Sequence, residues 1–230
     1  MSAQHGEEAS ASALFSWPQQ AAVARPVAKA KIYAHAKPSA ALRAMFVDQV
    51  DSITWAYKLA PETINLPAKP GVPEIEVFEV ALKLPQLNHA VLRCIDKAIP
   101  FPILFNLKFE GRTQPVAAYK RPSEAASDQW VVGDYHAAPW QNDGLNRPAL
   151  PVALDLQGLY EQLLRHHFAV PARSGESLRD QLDRLSALSA KQLAAAKLES
   201  RLNAEKQFNR KVELNDQLRI LRLDVENLSL

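Results

Sequence analysis

The chain of 230 residues contains few cysteines and glycines, no long apolar run and little net charge, and each of these shortages excludes a class of protein. Its one cysteine, Cys94, excludes an internal disulfide framework and a cysteine-based zinc site, and fits a reducing compartment. Its seven glycines form neither G-x-G-x-x-G nor G-x-x-x-x-G-K, which are the motifs of phosphate-binding loops. No apolar run reaches the roughly 18 residues that a membrane-spanning helix needs. The net charge is only +2, far from the strong positive charge typical of nucleic-acid binders.

The composition is otherwise that of an ordinary globular protein, with 47% hydrophobic and 23% charged residues. Residues 1–12 are small and polar and lack the basic start and apolar block of a secretion signal. We therefore expect a cytoplasmic protein without a membrane segment, and no motif predicts a cofactor or a metal site. Changes in composition predict three parts, namely a flexible leader over 1–30, a folded domain over 31–173 and a helical segment over 174–230.

Hydrophobic periodicity predicts an α+β fold for the middle part, with a mixed or antiparallel sheet of about five strands and flanking helices. Residues 39–51 have apolar side chains at four-residue steps behind a possible Ser39 N-cap, which predicts a helix. Residues 53–59 alternate like a strand. Residues 74–84 form the next strand, and a change of parity in their apolar positions predicts a bulge near Phe78. The same reasoning predicts helices over 88–98 and 155–168, the latter capped by Asp155, and strands over 103–109, 115–120 and 130–135.

The C-terminal segment is predicted to be one long, coiled-coil-like helix, because neither glycine nor proline occurs after Gly175. Such a helix would be roughly 80 Å long at about 1.5 Å per residue. Leucines recur at 4-3 spacing at both ends, but this seam is broken between 199 and 213. A helix with so narrow an apolar stripe needs a second surface, so we predict a coiled coil or a helical hairpin. The residues predicted to bind a partner are Leu202, Phe208, Val212, Leu214, Leu218, Leu221, Val225 and Leu228.

A basic strip precedes the first predicted strand, with five basic residues and no acid: Arg25, Lys29, Lys31, Lys37 and Arg43. A solvated arm explains this strip, but it is also what a surface contacting phosphates would contain. Three further basic residues, Lys206, Arg210 and Lys211, lie in the polar centre of the C-terminal segment and would extend such a surface. Trp55 and Tyr57 alternate on a strand as base-stacking residues do, although a sheet packed against a helix requires the same residues.

A metal-dependent nuclease would need carboxylates that converge on a divalent cation and a lysine near the attacked phosphate. The best candidates are Glu79 and Lys83, which would share one face of a regular strand, but the Glu-x-Lys spacing of restriction-type nucleases is absent. A face of exposed ion pairs explains the same residues. The adjacent His166 and His167 would diverge by about 100° on a helix, so they predict a favourable helix C-terminus rather than a zinc site. The other acids considered are Asp48, Asp51, Glu62 and Glu76.

Four segments of the chain resemble the family of unknown function DUF4391. They are ITWAYKLAPETINL over 53–66, EVFE over 76–79, IDKAIPFPILF over 95–105 and EKQFNRKVELN over 205–215. They occur in the expected order, and the resemblance runs from about residue 31 to near the C-terminus. It implies a bacterial protein encoded near helicases and DNA methyltransferases in restriction-like or phage-defence clusters. It implies no set of catalytic residues.

Two functional hypotheses follow. The first is a non-enzymatic accessory or adaptor subunit that tethers a helicase or a DNA methyltransferase through its C-terminal helix, or that self-associates through it. The second is a nucleic-acid-binding or divalent-metal-dependent nuclease subunit of the same kind of system, in direct contact with DNA. Residues 176–230 contain ten Lys and Arg against nine Asp and Glu, which favours contact with protein over contact with phosphates.

Overall fold

A computed structural model describes residues 13–125 and 129–230 of the chain. The chain divides into two compact units, residues 1–169 and 170–230. The prediction of an α+β fold is confirmed, with two differences: the sheet has more than the expected five strands, and the C-terminal segment forms two helices. None of the described helices is both long enough and apolar enough to span a membrane.

The first unit is built on a mixed sheet of seven strands in the order β1-β2-β3-β4-β5-β6, with β7 paired to β5. β3 and β4 are parallel and every other pair is antiparallel. The parallel pair requires a crossover, which a helix supplies. The strands are β1 (Ala22–Pro26), β2 (Val50–Leu59), β3 (Ile75–Leu82), β4 (Ile103–Phe109), β5 (Arg112–Pro122), β6 (Trp130–Ala137) and β7 (Gln141–Asn142).

The described part of this unit contains five α-helices: α1 (Lys29–Ala36), α2 (Ala40–Gln49), α3 (Pro61–Ile64), α4 (His89–Ala98) and α5 (Leu156–Arg165). Both N-caps expected from the sequence are confirmed, because the Ser39 hydroxyl accepts from the N–H of Leu42 at 3.3 Å and the Asp155 carboxylate accepts from that of Gly158 at 2.8 Å. Local side-chain chemistry therefore sets where these helices begin.

Strand β3 is buried on both faces. Phe78 and Val80 pack into a core with α4, while Ile75 and Val77 are buried on the opposite face. Because both faces are buried, apolar residues occur at odd-numbered and even-numbered positions of β3. A register shift does occur at this point, but it lies in β2, where Ala56 is the extra residue opposite the Phe78 and Val77 pair.

Part of the predicted leader belongs to the fold. Residues 22–26 form the edge strand β1, which pairs with β2, and a short 3-10 helix over Gln19–Ala21 precedes it. Leu14 and Phe15 are buried. The expectation of a flexible leader is therefore wrong for residues 13–30, because apolar side chains anchor them, and residues 1–12 lie outside the described part.

The second unit is a helical hairpin of α6 (Leu178–Ala204) and α7 (Phe208–Ser229). Glu205 leaves the helical conformation, and its carboxylate accepts from the backbone N–H of Lys206 at 2.7 Å and of Gln207 at 2.9 Å. This side-chain turn ends α6 without glycine or proline. One continuous helix of 80 Å is thus wrong, and the hairpin is the form that the segment adopts.

Candidate functional site

A cluster of charged residues lies where two of the segments quoted above meet, at β2 and the start of β3. Lys58 pairs with Glu62 of α3 at 2.8 Å and with Glu74 at 2.9 Å. Hydrogen bonds to Glu62, and to a smaller extent to Glu74, raise the pKa of Lys58 well above its ordinary value. Glu76 lies opposite Lys58 in the strand register. The structure therefore brings together Glu62 and Glu76, which the sequence singled out, with Glu74, which it did not.

Glu76 is the unusual member of this cluster, because its side chain is only 3% exposed. The indole N–H of Trp55 donates to its carboxyl, and a further hydrogen bond joins it to Glu74. The pKa of Glu76 is raised to about 8, mainly by burial and to a smaller extent by the neighbouring Glu74 carboxylate. The raised pKa favours the protonated form of Glu76 in the folded protein, and its carboxyl occupies the indole N–H of Trp55.

The free energy of unfolding of the Glu76→Gln variant is expected to rise relative to that of wild type as the pH rises. Since the folded state keeps the Glu76 proton between about pH 4.5 and 8 while the unfolded state loses it, the wild-type free energy of unfolding falls across this window. The glutamine variant lacks this dependence on pH, whose slope in wild type is at most about 1.4 kcal/mol per pH unit. Urea unfolding of both proteins at pH 5, 7 and 9 measures it. A constant difference between them would contradict the assignment.

The nuclease candidates Glu79 and Lys83 have separate partners. The carboxylate of Glu79 lies 3.8 Å from the ammonium of Lys108 on β4, which also contacts Asp143 at 3.2 Å. The ammonium of Lys83 donates to the carbonyl of Val47 at 2.8 Å, at the end of α2. The two residues form no ion pair with each other, because Lys83 follows the last residue of β3 and reaches towards the helix.

The basic strip is partly structural. The ammonium of Lys29 donates to the carbonyls of Phe46 at 3.0 Å and Val50 at 2.5 Å, so it caps the C-terminal end of α2. Burial lowers the pKa of Lys29. The Arg43 guanidinium lies over the Tyr33 ring, 5.3 Å from its centroid. The exposed members of the strip are Arg25, Lys31, Lys37 and Arg43.

The residues predicted to bind a partner fall into three groups by exposure. Leu214 and Leu218 are buried inside the hairpin with Leu198 of α6. Four others are partly buried: Leu202, Leu221, Val225 and Leu228. Phe208 and Val212, by contrast, are exposed near the turn, with Phe208 exposed to 78%. The inner seam is thus occupied by the chain itself, and the region near the turn is what a partner could reach.

A buried network that the sequence did not indicate links α4 to β5 and β6. The ammonium of Lys120 donates to the carbonyls of Asp96 at 2.6 Å and Ile99 at 2.5 Å, and lies 3.2 Å from the Asp96 carboxylate. The hydroxyl of Tyr135 donates to the same carboxylate. Burial lowers the pKa of Lys120 and raises that of Asp96. Lys120 caps the last turn of α4, which is a structural task.

The adjacent histidines follow α5. Nδ1 of His166 donates to the carbonyl of Gln162 at 2.8 Å, and Nδ1 of His167 donates to that of Leu163 at 2.9 Å. These bonds satisfy carbonyls of the last helical turn, as expected from the sequence. Burial lowers the pKa of His167 to about 4. Across the described residues, no group of three or more His, Cys, Asp or Glu is placed to hold a metal ion.

Comparison with known proteins finds one family. A family model described as a domain of unknown function, DUF4391, matches residues 15–224. No curated protein and no solved structure matches the chain.

Proposed function

Since the chain belongs to the DUF4391 family, as the match over residues 15–224 shows, we propose that it is a non-enzymatic adaptor subunit of a bacterial restriction-like or phage-defence system. In this proposal the helical hairpin tethers a helicase or a DNA methyltransferase. The defence setting rests on what the resemblance implies, and the adaptor role rests on the hairpin.

The exposed end of the hairpin is the observation that supports this proposal. Phe208 is 78% exposed at the first position of α7, and Val212 follows it on the next turn of the same helix. The hairpin core of Leu198, Leu214 and Leu218 forms without either residue. An exposed aromatic side chain with an apolar neighbour, placed where the fold does not need it, is typical of a protein-binding surface.

The charged clusters of the first unit give less support to a nuclease. Glu62 and Glu74 are both paired with Lys58, and Glu79 is paired with Lys108. A metal-dependent nuclease would need such carboxylates to converge on a cation. In this chain they form ion pairs with lysine ammonium groups instead.

Phe208→Glu is expected to reduce recovery of the partner at least about tenfold, because a charge would replace the apolar anchor. The measurement is affinity purification of the tagged full-length chain from its native host, with the recovered proteins quantified by mass spectrometry. The matched control is Leu154→Glu, since Leu154 is 90% exposed in the first unit and the substitution is the same in charge.

Equal recovery of a helicase or methyltransferase with wild type and Phe208→Glu would contradict the tethering role of the hairpin. If neither protein is recovered with wild type, the adaptor proposal fails. DNA-binding and nuclease assays on wild type, Glu79→Ala and Lys83→Ala would then test the second hypothesis.

A further inference from the structure

One face of the hairpin carries a continuous groove between its two helices. It consists of two adjoining depressions of about 400 Å³ and 560 Å³, which share Arg201 as a wall. On α6 the groove runs from Ala194 to Ala204, roughly 15 Å at about 1.5 Å per residue. The apolar part of its floor lies mainly in the first depression and includes Leu198, which is 6% exposed, Ile220, which is 58% exposed, and Leu221. The floor is therefore the outward side of the hairpin core, and Ile220 is its most exposed apolar side chain.

The groove differs from the rest of the hairpin in how its charges are paired. Elsewhere the two helices are joined by ion pairs, such as Lys191 with Asp224 and Arg222 with Glu199, both at 2.6 Å. Along the groove, Lys197, Arg201 and Lys206 make no ion pair with any residue that the structure describes.

A fourth cation of the groove, Arg210, lies 3.6 Å from Glu205, the one acid that lines it. The rim is therefore positive, although the charges of the hairpin as a whole are nearly balanced.

We propose that this groove binds an acidic amphipathic helix of a partner protein, a conclusion that rests on the proposed adaptor function. The bound helix would place an apolar stripe against Ile220 and the exposed part of Leu221. Its flanking Asp or Glu residues would pair with Lys197, Arg201 and Lys206. A groove of this length accepts about three turns of helix. Helices commonly bind in apolar grooves in this way, and complementary charges at the rim set orientation and specificity.

Two other occupants fit the groove less well. A nucleic-acid backbone would satisfy the cations but would leave the exposed side chain of Ile220 uncovered. A second copy of the hairpin would bring the same cations against each other, because a two-fold interface juxtaposes like surfaces. An acidic helix complements both the floor and the rim.

Site-specific photocrosslinking tests the proposal. The full-length chain, with p-benzoylphenylalanine in place of Ile220, is expressed in its native host and irradiated, and the crosslinked peptide is sequenced. We expect a segment of another protein with apolar residues at three- and four-residue spacing and with flanking acids. The double variant Lys197→Glu with Arg201→Glu should lower the yield at least about tenfold. The matched control is Arg179→Glu with Arg219→Glu, exposed cations of the same hairpin that do not line the groove.

Several outcomes would overturn the groove assignment: a crosslink to nucleic acid, to the chain itself or to a segment without acids, no crosslink at Ile220, or equal losses in both double variants. These outcomes are separable from failure of the adaptor role. If Phe208→Glu abolishes recovery of the partner while Ile220 gives no crosslink, the tether stands and the groove does not. Circular dichroism of each variant checks that the hairpin remains helical.

Discussion

Lys120→Met is expected to lower the free energy of unfolding by about 3–5 kcal/mol, the range for removing one partner of a buried ion pair. Lys120 is 1% exposed, and its ammonium contacts the Asp96 carboxylate together with two carbonyls at the end of α4. Methionine matches the length of the lysine stem but donates no hydrogen bond. The Asp96 carboxylate would then be buried with Tyr135 as its remaining hydrogen-bond partner.

Urea unfolding followed by circular dichroism measures this loss. The matched control is Lys97→Met, an exposed lysine on α4, for which we expect a change within about 0.5 kcal/mol. The double variant Lys120→Met with Asp96→Asn should regain part of the stability, because the buried charge is gone and the asparagine oxygen still accepts from Tyr135. A loss below about 1 kcal/mol in the single variant would show that the pair is not buried as described.

Leu218→Asp is expected to unfold the hairpin rather than only to weaken the binding of a partner. Leu218 is 3% exposed and packs with Leu198 and Leu214 in a core of very few residues. Replacing it with a charge removes apolar burial and places a carboxylate among leucines, at a cost of about 3–5 kcal/mol. Two helices with so small a core have no reserve of that size.

Loss of helical signal at 222 nm and proteolytic cleavage within α7 are the expected observations. Leu223→Asp is the control, because Leu223 is a half-exposed leucine on the same helix and its substitution should leave the hairpin intact. A Leu218→Asp protein with unchanged helicity and protease resistance would mean that Leu218 is not part of a buried seam. Partner-binding assays therefore need substitutions at exposed positions, because these change the binding surface without unfolding the hairpin.

Much of the first unit could be predicted from the sequence, because the signals are local. Ser39 and Asp155 each cap a helix through a backbone N–H three residues ahead, and such a contact depends only on nearby residues. Strand β2 and strand β3 follow from alternating or continuous apolar residues. The edge strand β1 was missed because residues 22–26 are short and weakly apolar, and their pairing with β2 is what orders them.

The candidate site was only partly predictable. Glu62 and Glu76 could be singled out as acids on or near a strand, but their shared neighbours Lys58 and Glu74 depend on how β2 and β3 pair. The raised pKa of Glu76 follows from burial, which no local pattern of the sequence specifies. Lys120 gave no signal, since a lysine within a strand is usually exposed.

The α+β class and the helix caps could be predicted from the chain, because each depends on residues close together in it. The turn at Glu205 could not, since one long helix and a hairpin satisfy the same periodicity and tertiary contacts distinguish them. This turn places Leu214 and Leu218 inside and leaves Phe208 and the groove at the surface. An apolar stripe shows which face of a helix must be buried, whereas the surface that buries it is formed by residues distant in the chain.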